Sequence, residues 1–318
     1  MENFDSIDIS HQVLKELLKY RRCFSQSNEC DEYEERKVSE IQIPRIRAFI
    51  EKRQPIEFIL PAFPTKSPNP KKVLGKIPDM AEKLSLVFLN SLCQKIKDIY
   101  SLGAKIIICS DGHVFSDLIY VDDNDITLYQ KELNKLLSKL DGESLYLYSL
   151  SSVKELTQYS QDYTQLRSLL VKNYATSIEE IKGELKQTNG GIQLYQAITR
   201  FLYEDSFLPD YTGSKAALQR NAKQRAVGVI QRSRAWGNLL STKFPSAIRL
   251  SIHPQPADSI KMGIHLMPTR DNWLTPWHGV AVNINGRFIL MKNETAKKMN
   301  GKLVEVNGSP SHYVIESI

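Results

Sequence analysis

Lys105–Asp117 reads KIIICSDGHVFSD, and the fold class turns on this stretch. Ile106, Ile107, Ile108 and Cys109 make an unbroken apolar run, entered from Gly103 and left through Ser110-Asp111-Gly112-His113. A strand wetted on one face would alternate apolar and polar residues. An unbroken run fits a strand covered on both faces, as in a parallel sheet. Ligands of open α/β sheets sit beyond the carboxyl ends of such strands. Ser110, Asp111 and His113 are therefore expected at a functional edge, opened by a glycine turn.

Upstream, Ile56–Leu60 (IEFIL) reads as a second buried strand. The segment PAFPTKSPNPKKVLGKIPD follows, where Pro61, Pro64, Pro68, Pro70 and Pro78 exclude helix and central strand, so a long ordered loop is expected. Asp79 and Glu82 have the spacing of a capping box, and Leu84, Val87, Phe88, Leu92, Ile96 and Ile99 form a helical core-facing stripe. Strand, loop, helix and strand together make a doubly wound unit.

Downstream, Asp125 can cap a helix with Leu133, Leu136, Leu137 and Leu140 inward, and Leu145–Tyr148 reads as a third strand. Residues 152–205 read as helices, with Ser177 and Glu180 as a capping pair, and a long basic helix runs from Ser214 to about Leu240. Beyond it the character changes. Ala247–Ile252, Met262–Met267 and Val280–Ile284 read as strands, Asn285-Gly286 as a hairpin turn, and Glu294–Met299 as a short helix. The fold class is α/β: a mainly parallel sheet flanked by helices, with an α+β C-terminal region. The expected division is a helical extension (1–52), an α/β core (53–213), and a basic helix plus β-rich region (214–318).

At 318 residues, 42% hydrophobic and 25% charged, the chain has the composition of a soluble globular protein with a substantial core. No apolar run approaches the roughly eighteen residues of a membrane span. No secretory signal opens the chain, so the cytoplasm is the expected compartment. Cys23, Cys30, Cys93 and Cys109 form no CxxC pair; neither a zinc site nor a disulfide framework is expected.

The net charge of +6 is unevenly placed. No acid falls between Asp210 and Asp258, a stretch holding Lys215, Arg220, Lys223, Arg225, Arg232, Arg234, Lys243 and Arg249. Such a block favours an anionic partner: nucleic acid, or a small phosphorylated or carboxylated substrate. No nucleic-acid motif accompanies it.

Three polar clusters fall on loops and strand ends. Lys66, Ser67, Asn69, Lys71, Lys72 and Lys76 form the first. Ser110, Asp111, His113, Ser116 and Asp117 form the second. The third spans Arg232, Arg234, Trp236, Arg249, Ser251, His253, Lys261 and Thr275-Pro276-Trp277-His278. On a strand, Arg249, Ser251 and His253 share a face. Trp236, Trp273 and Trp277 are candidates for an aromatic pocket or for core packing. Asp122, Asp123 and Asp125 read as turn and cap before they read as a metal-binding DxD element.

The segments PAFPTKSPNPKKVLGKIPDMAE, GAKIIICSDGHVFSD, RAWG, IRLSIHPQ, KMGIHL and TPWHGVAV, in that order, resemble the pyoverdine/dityrosine biosynthesis family, whose bacterial members are isocyanide (isonitrile) synthases. The resemblance implies a Rossmann-like fold without nicotinamide; no GxGxxG occurs here. It implies conversion of the amino group of tyrosine or tryptophan to an isonitrile, with ribulose 5-phosphate supplying the carbon through C2. No cofactor or metal is expected. An iron- and 2-oxoglutarate-dependent oxygenase is the implied pathway partner, and N-formylation of tyrosine is the enzymatic alternative.

Such chemistry needs two anionic groups held side by side. Lys66, Lys71 and Lys72, with Ser67 and Asn69, are expected to form one pocket; Arg234, Arg249, Ser251 and Lys261 the other, with Ser110 nearby. Asp111 and His113 are expected as acid and base, and His253 or His278 as second proton carrier.

Overall fold

The computed structural model describes residues 2–23, 32–187 and 189–316. Two helices, α1 (Glu2–Leu18) and α2 (Glu32–Glu51), precede β1 (Ile56–Pro61). Then come α3 (Met80–Ile99), β2 (Ala104–Ser110), α4 (Gly112–Ile119), α5 (Asp123–Leu137) and β3 (Leu145–Ser149). Helices α6 (Lys154–Thr157), α7 (Tyr163–Tyr174), α8 (Ile178–Gln187), α9 (Asn189–Ser206) and α10 (Lys215–Lys243) follow. The chain then forms β4 (Ile248–Ser251), β5 (Lys261–Gly263), β6 (Val280–Ile284), β7 (Arg287–Met291), α11 (Asn293–Lys298), β8 (Lys302–Val306) and β9 (Ser309–Ile315).

The main sheet is parallel throughout, in the order β3-β2-β1-β4-β5. Its alternating residues separate into two apolar layers. Phe58, Leu60, Ile106 and Ile108 pack with α1, α2, α3 and α5; Ile59, Ile107 and Cys109 pack with α7 and α10. This two-sided burial is what the unbroken run Ile106–Cys109 requires. Strands β4 and β5 come from beyond α10, so the sheet is completed only by the segment after residue 214. The order steps outward from β1 in one direction and resumes at β4 in the other, which leaves a crevice between their carboxyl ends.

Capping follows the sequence closely. Asp79 and Glu82 close a full capping box on α3, Ser214 caps α10, and the Ser177–Glu180 pair forms at the start of α8. Asp122, rather than Asp125, caps α5. The buried stripe of α3 is Ala81, Glu82, Ser85, Leu86, Leu89, Leu92, Cys93 and Ile96, rotated from the expected one; Val87 is exposed. The reason is the buried Glu82, a polar residue inside that a hydrophobic pattern does not register. In β6–β7 the turn residues Asn285 and Gly286 both have left-handed φ, 51° and 82°, the geometry that favours Asn-Gly. Strands β6 to β9 make a separate mixed sheet in the order β7-β6-β9-β8.

Cys93 and Cys109 are free and buried, whereas Cys23 is disulfide-bonded. Cys30 lies outside the described residues.

Candidate active site

At the carboxyl end of β2, Asp111 is the N-cap residue of α4, yet its side chain makes no cap bond. Following Cys109 by two, it lies on the α7/α10 side of the sheet. Among the described residues it forms no ion pair, and burial pushes its carboxyl up to about 7. Gly112 is obligatory here: a Cβ would stand 2.1 Å from the Pro64 carbonyl oxygen, so the loop after β1 could not lie across the start of α4. That loop begins at Phe63 with φ 56°, a conformation costly for an aromatic residue. Phe63 is held by the Ser110 hydroxyl, which donates to its carbonyl at 2.8 Å, and by its ring against Trp277 at 5.3 Å.

Arg249 sits opposite Ile59 in register and beside Lys261 on the next strand, so both cations face the same layer as Asp111. Arg249 donates to Ser241 Oγ at 2.9 Å; burial and the charge of Arg45 hold its guanidinium below its ordinary value. Lys261 is lowered too, by burial and then by Arg249. His253, just past β4, is exposed and lies 6.0 Å from the Trp273 ring. Desolvation by the atoms around it, reinforced by Arg22, His278 and Lys261, pushes its imidazole down to about 4.

A second polar cluster centres on a residue the sequence reading passed over. Asp205, 2% exposed in α9, accepts from Ser67 Oγ at 2.9 Å and Lys72 Nζ at 2.6 Å, with His278 Nε2 at 3.4 Å. Burial alone would raise this carboxyl; His278 and Lys72 outweigh it and pull it down to about 2. The second nitrogen of His278 bonds Thr275 Oγ1 at 2.9 Å. Both ring nitrogens thus have partners, which fixes the orientation of the imidazole. Asn69 sews the same loop to the end of α9, donating to Glu204 O at 2.8 Å and Phe207 O at 3.4 Å. The only sequence signal for Asp205 was an acid at the inward end of an amphipathic helix.

Several expected site residues are turned elsewhere. His113 is fully buried, stacked on Tyr163 at 3.7 Å, and its Nε2 reaches Asp123 O and Thr127 Oγ1 at 3.2 and 3.1 Å. Burial pushes it down to about 4. It is a core histidine between α4, α5 and α7. Lys66, 2% exposed, is not a loop cation: its ammonium lies 2.8 Å from both Asp79 and Glu82 and 3.3 Å from Pro276 O, which leaves no donor for a phosphate. Lys71 is exposed, apart from this network. Ser110 is buried between Phe63 O and Gln130 Nε2, and Ser251 accepts from the His253 amide and Gln255, shaping the turn after β4. Trp236 and Trp277 are core residues; Trp273 is exposed.

Three of the eight cations of the basic block meet acids from distant parts of the chain. Arg232 pairs with Asp117, Arg234 with Glu184, and Lys243 with Glu155. Arg225 is spent on Asn221, Leu118 O and Ser206. Arg234 therefore leaves the expected anion pocket, while Arg249 and Lys261 stay unpaired.

Arg22 was also unforeseen. Buried at 2%, it donates to the Ile252 carbonyl, to Leu274 O at 3.1 Å and to His265 Nδ1 at 3.2 Å. Its backbone joins the sheet edge: Arg22 N bonds Gly263 O at 3.0 Å, and Arg21 bridges Ile264 antiparallel. The N-terminal segment thereby fixes the turn that carries His253.

Two cavities lie away from this wall. One of about 400 Å³ is lined by Thr65–Ser67, Val73–Lys76 and Tyr120; another of about 370 Å³ by Thr127, Gln130, Ser149, Ser151 and Tyr163. Neither includes Asp111, Arg249 or His253. Asp111 and His253 lie at the carboxyl ends of β2 and β4, whereas Arg249 and Lys261 stand level with Ile59, nearer the strand starts. Among the described residues no three His, Cys, Asp or Glu side chains gather as a metal site, and no helix is long and apolar enough to cross a membrane.

Asp111 and His253, at the carboxyl ends of β2 and β4, stand where open α/β sheets take small ligands. A doubly wound sheet carrying that edge belongs to the α/β enzymes. Residues 46–304 match the family described as pyoverdine/dityrosine biosynthesis protein, and the chain belongs to that family, among its isocyanide synthases. It is 67% identical to an L-tyrosine isonitrile synthase of Xenorhabdus nematophila, over 100% of this chain and 95% of that one. It is 42% identical to the L-tryptophan isonitrile synthase AmbI2 of Fischerella ambigua, over 96% and 91%. The crystal structure of the PvcA protein from Pseudomonas aeruginosa superposes with a TM-score of 0.92 at 54% identity, covering 96% of this chain and 99% of that one.

Proposed function

We propose that this chain makes the isonitrile of L-tyrosine, taking the added carbon from C2 of ribulose 5-phosphate. The observation that carries the chemistry is Asp111, an unpaired carboxyl raised to about 7 at the carboxyl end of a central strand. Condensing an amine with a ketone needs a base for the ammonium proton and an acid for the departing water. A carboxyl near 7 serves both at neutral pH. His253 is the second proton acceptor, and Arg249 and Lys261 hold an anionic end of a substrate. Holding two reactants in one geometry lowers the barrier by about 7–11 kcal/mol in favourable cases. After imine formation, proton transfers release phosphate and the remaining sugar carbons.

Tyrosine is preferred over tryptophan because the relative bearing the tyrosine name stands at 67% identity and the tryptophan one at 42%. An iron- and 2-oxoglutarate-dependent oxygenase is the proposed consumer of the product. Pairing of Arg232, Arg234 and Lys243 with Asp117, Glu184 and Glu155 removes part of the charge a nucleic acid would need.

The test is incubation with tyrosine or tryptophan and C2-labelled ribulose 5-phosphate, followed by mass analysis. A labelled tyrosine isonitrile is expected. An unlabelled isonitrile removes the carbon donor, N-formyltyrosine moves the chain to the formylating alternative, and faster turnover of tryptophan reverses the substrate.

A further inference from the structure

Four consecutive residues of the N-terminal segment tie together three turns at one margin of the main sheet. Tyr20 O accepts from the His265 amide at 2.9 Å, Arg21 bridges Ile264, Arg22 N bonds Gly263 O, and Cys23 O accepts from Asn272 Nδ2 at 3.4 Å. The Arg22 side chain reaches furthest. Its guanidinium donates both to the carbonyl of Ile252, the residue before His253, and to that of Leu274, the residue after Trp273. One rigid, planar group thus spans the two turns. Burial pulls it down to about 10, which leaves it charged at neutral pH, and the charge of Asp271 opposes that fall.

Trp273 sits on an equally fixed backbone. Its amide bonds Asp271 Oδ1 at 2.9 Å, and the Leu274 amide bonds Asp271 O at 3.1 Å. The Asp271 amide bonds Thr269 Oγ1 at 3.1 Å, and Lys292 pairs with the Asp271 carboxylate at 3.4 Å. The indole is nonetheless 57% exposed, whereas those of Trp236 and Trp277 are buried. A lone exposed apolar side chain is ordinary on a surface. This one is braced on a turn, 6.0 Å from the His253 ring, at the carboxyl end of the sheet, which is where an aromatic ligand would be received.

We infer that Trp273 is the shelf on which the ring of the aromatic amino acid packs, and that Arg22 and Asp271 are positioning residues that hold this shelf at a fixed distance from His253. The inference rests on the reading of His253 as a proton acceptor in the preceding section. In an aromatic amino acid one methylene separates the ring from the carbon bearing the amine. An amine delivered to His253 therefore carries its ring towards Trp273, and ring pairs pack with centroids about 4.5–7 Å apart. A substrate without a ring would leave the indole uncovered.

The test reads Trp273 directly, because the other two indoles are buried. Iodide quenching of the full chain is measured alone, with L-tyrosine and with L-alanine, exciting at the red edge of the indole band where tyrosine does not absorb. L-Tyrosine, but not L-alanine, is expected to shield the indole. In steady-state kinetics Trp273→Ala should raise KM for tyrosine about three- to tenfold with kcat within about twofold, and Trp273→Phe should restore most of the loss. Arg22→Lys keeps the charge without the fork, so it should raise KM and lower kcat, because His253 moves with its turn. Combined with Trp273→Ala it should raise KM no further than Trp273→Ala alone, a result that general loss of stability would not give. Asp271→Ala loosens the same turn from outside the sheet and should show the same lack of additivity in KM, which keeps the test decisive if Arg22→Lys fails to fold. Unchanged KM in Trp273→Ala, or equal shielding by L-alanine, would overturn the shelf, and additive effects would overturn the positioning roles. Shielding by tyrosine in a protein that makes no isonitrile would uphold the shelf and remove the proposed reaction; labelled isonitrile with unchanged KM in Trp273→Ala would do the reverse.

Discussion

Replacing Lys66 by Met separates a structural lysine from a substrate-binding one. Its side chain is 1% exposed, between carboxylates of Asp79 and Glu82 that are 4% and 0% exposed. Met matches the length and apolar body of Lys, so the change removes the charge with little new cavity. It leaves two buried carboxylates facing each other, with Tyr129 donating to Glu82 at 3.3 Å. Removing one member of a buried ion pair costs about 3–5 kcal/mol, against a total stability of about 5–15 kcal/mol. The midpoint of guanidinium unfolding should fall accordingly. Adding Glu82→Gln should recover much of the loss, because the charge left unpaired goes with it, while Asp79 still caps α3 through Ala81 at 2.8 Å.

The pH dependence is a further check. Burial raises the Glu82 carboxyl even beside Lys66, and without the ammonium it rises further. A carboxyl raised in the folded state favours folding when protonated, so the deficit of Lys66→Met should grow as pH rises through that raised value. A variant that unfolds like the wild type but has lost affinity for a sugar phosphate would refute the reasoning and return Lys66 to the site.

Other outcomes follow from the same geometry. Asp111→Asn should lower kcat by about 10²–10⁴ with KM little changed. It should also stabilise the fold at pH 8 but not at pH 4, since a carboxyl raised to about 7 loses its stabilising protonated form as pH climbs between its unfolded value and 7; equal denaturation at both pH values would count against burial as the cause. Asp205→Asn should cost about 3 kcal/mol at pH 7 by freeing Lys72 and His278, and the wild type should lose that contribution only as pH falls from about 4 towards 2. His113→Phe keeps the stack on Tyr163 but loses the bonds to Asp123 and Thr127, so stability should drop by about 1 kcal/mol with kcat unchanged; a large fall in kcat in a stable variant would make His113 catalytic.

What was legible in the sequence was local. The Ile106–Cys109 run, the Asp79–Glu82 box, the Ser214 cap and the Asn285-Gly286 turn each depend on residues within a few positions, and each formed. Side-chain direction beyond the strand end was not legible. Asp111 continues the strand's alternation toward α10, whereas His113, two residues on, is already in a helical turn that aims it between α5 and α7. The basic block misled for a related reason. Three of its cations meet Asp117, Glu155 and Glu184 from 50 to 115 positions away, so linear charge density overstated the free charge. Asp205 and Arg22 escaped notice because their importance is made by partners from separate stretches of chain: Ser67, Lys72 and His278 for one, Ile252, His265 and Leu274 for the other.

Tyr20–Arg22 lies along the last, three-residue strand of the main sheet, where Gly263 is needed because any side chain would strike the Arg22 carbonyl at 2.5 Å. A bare strand margin offers its amides to any passing chain, and a covered one does not. Trimming the first two dozen residues would thus be expected to do harm of two kinds at once. The histidine turn would lose its anchor, and the exposed margin would invite clumping, so a shortened protein that precipitates and one that stays clear but idle would share a single cause.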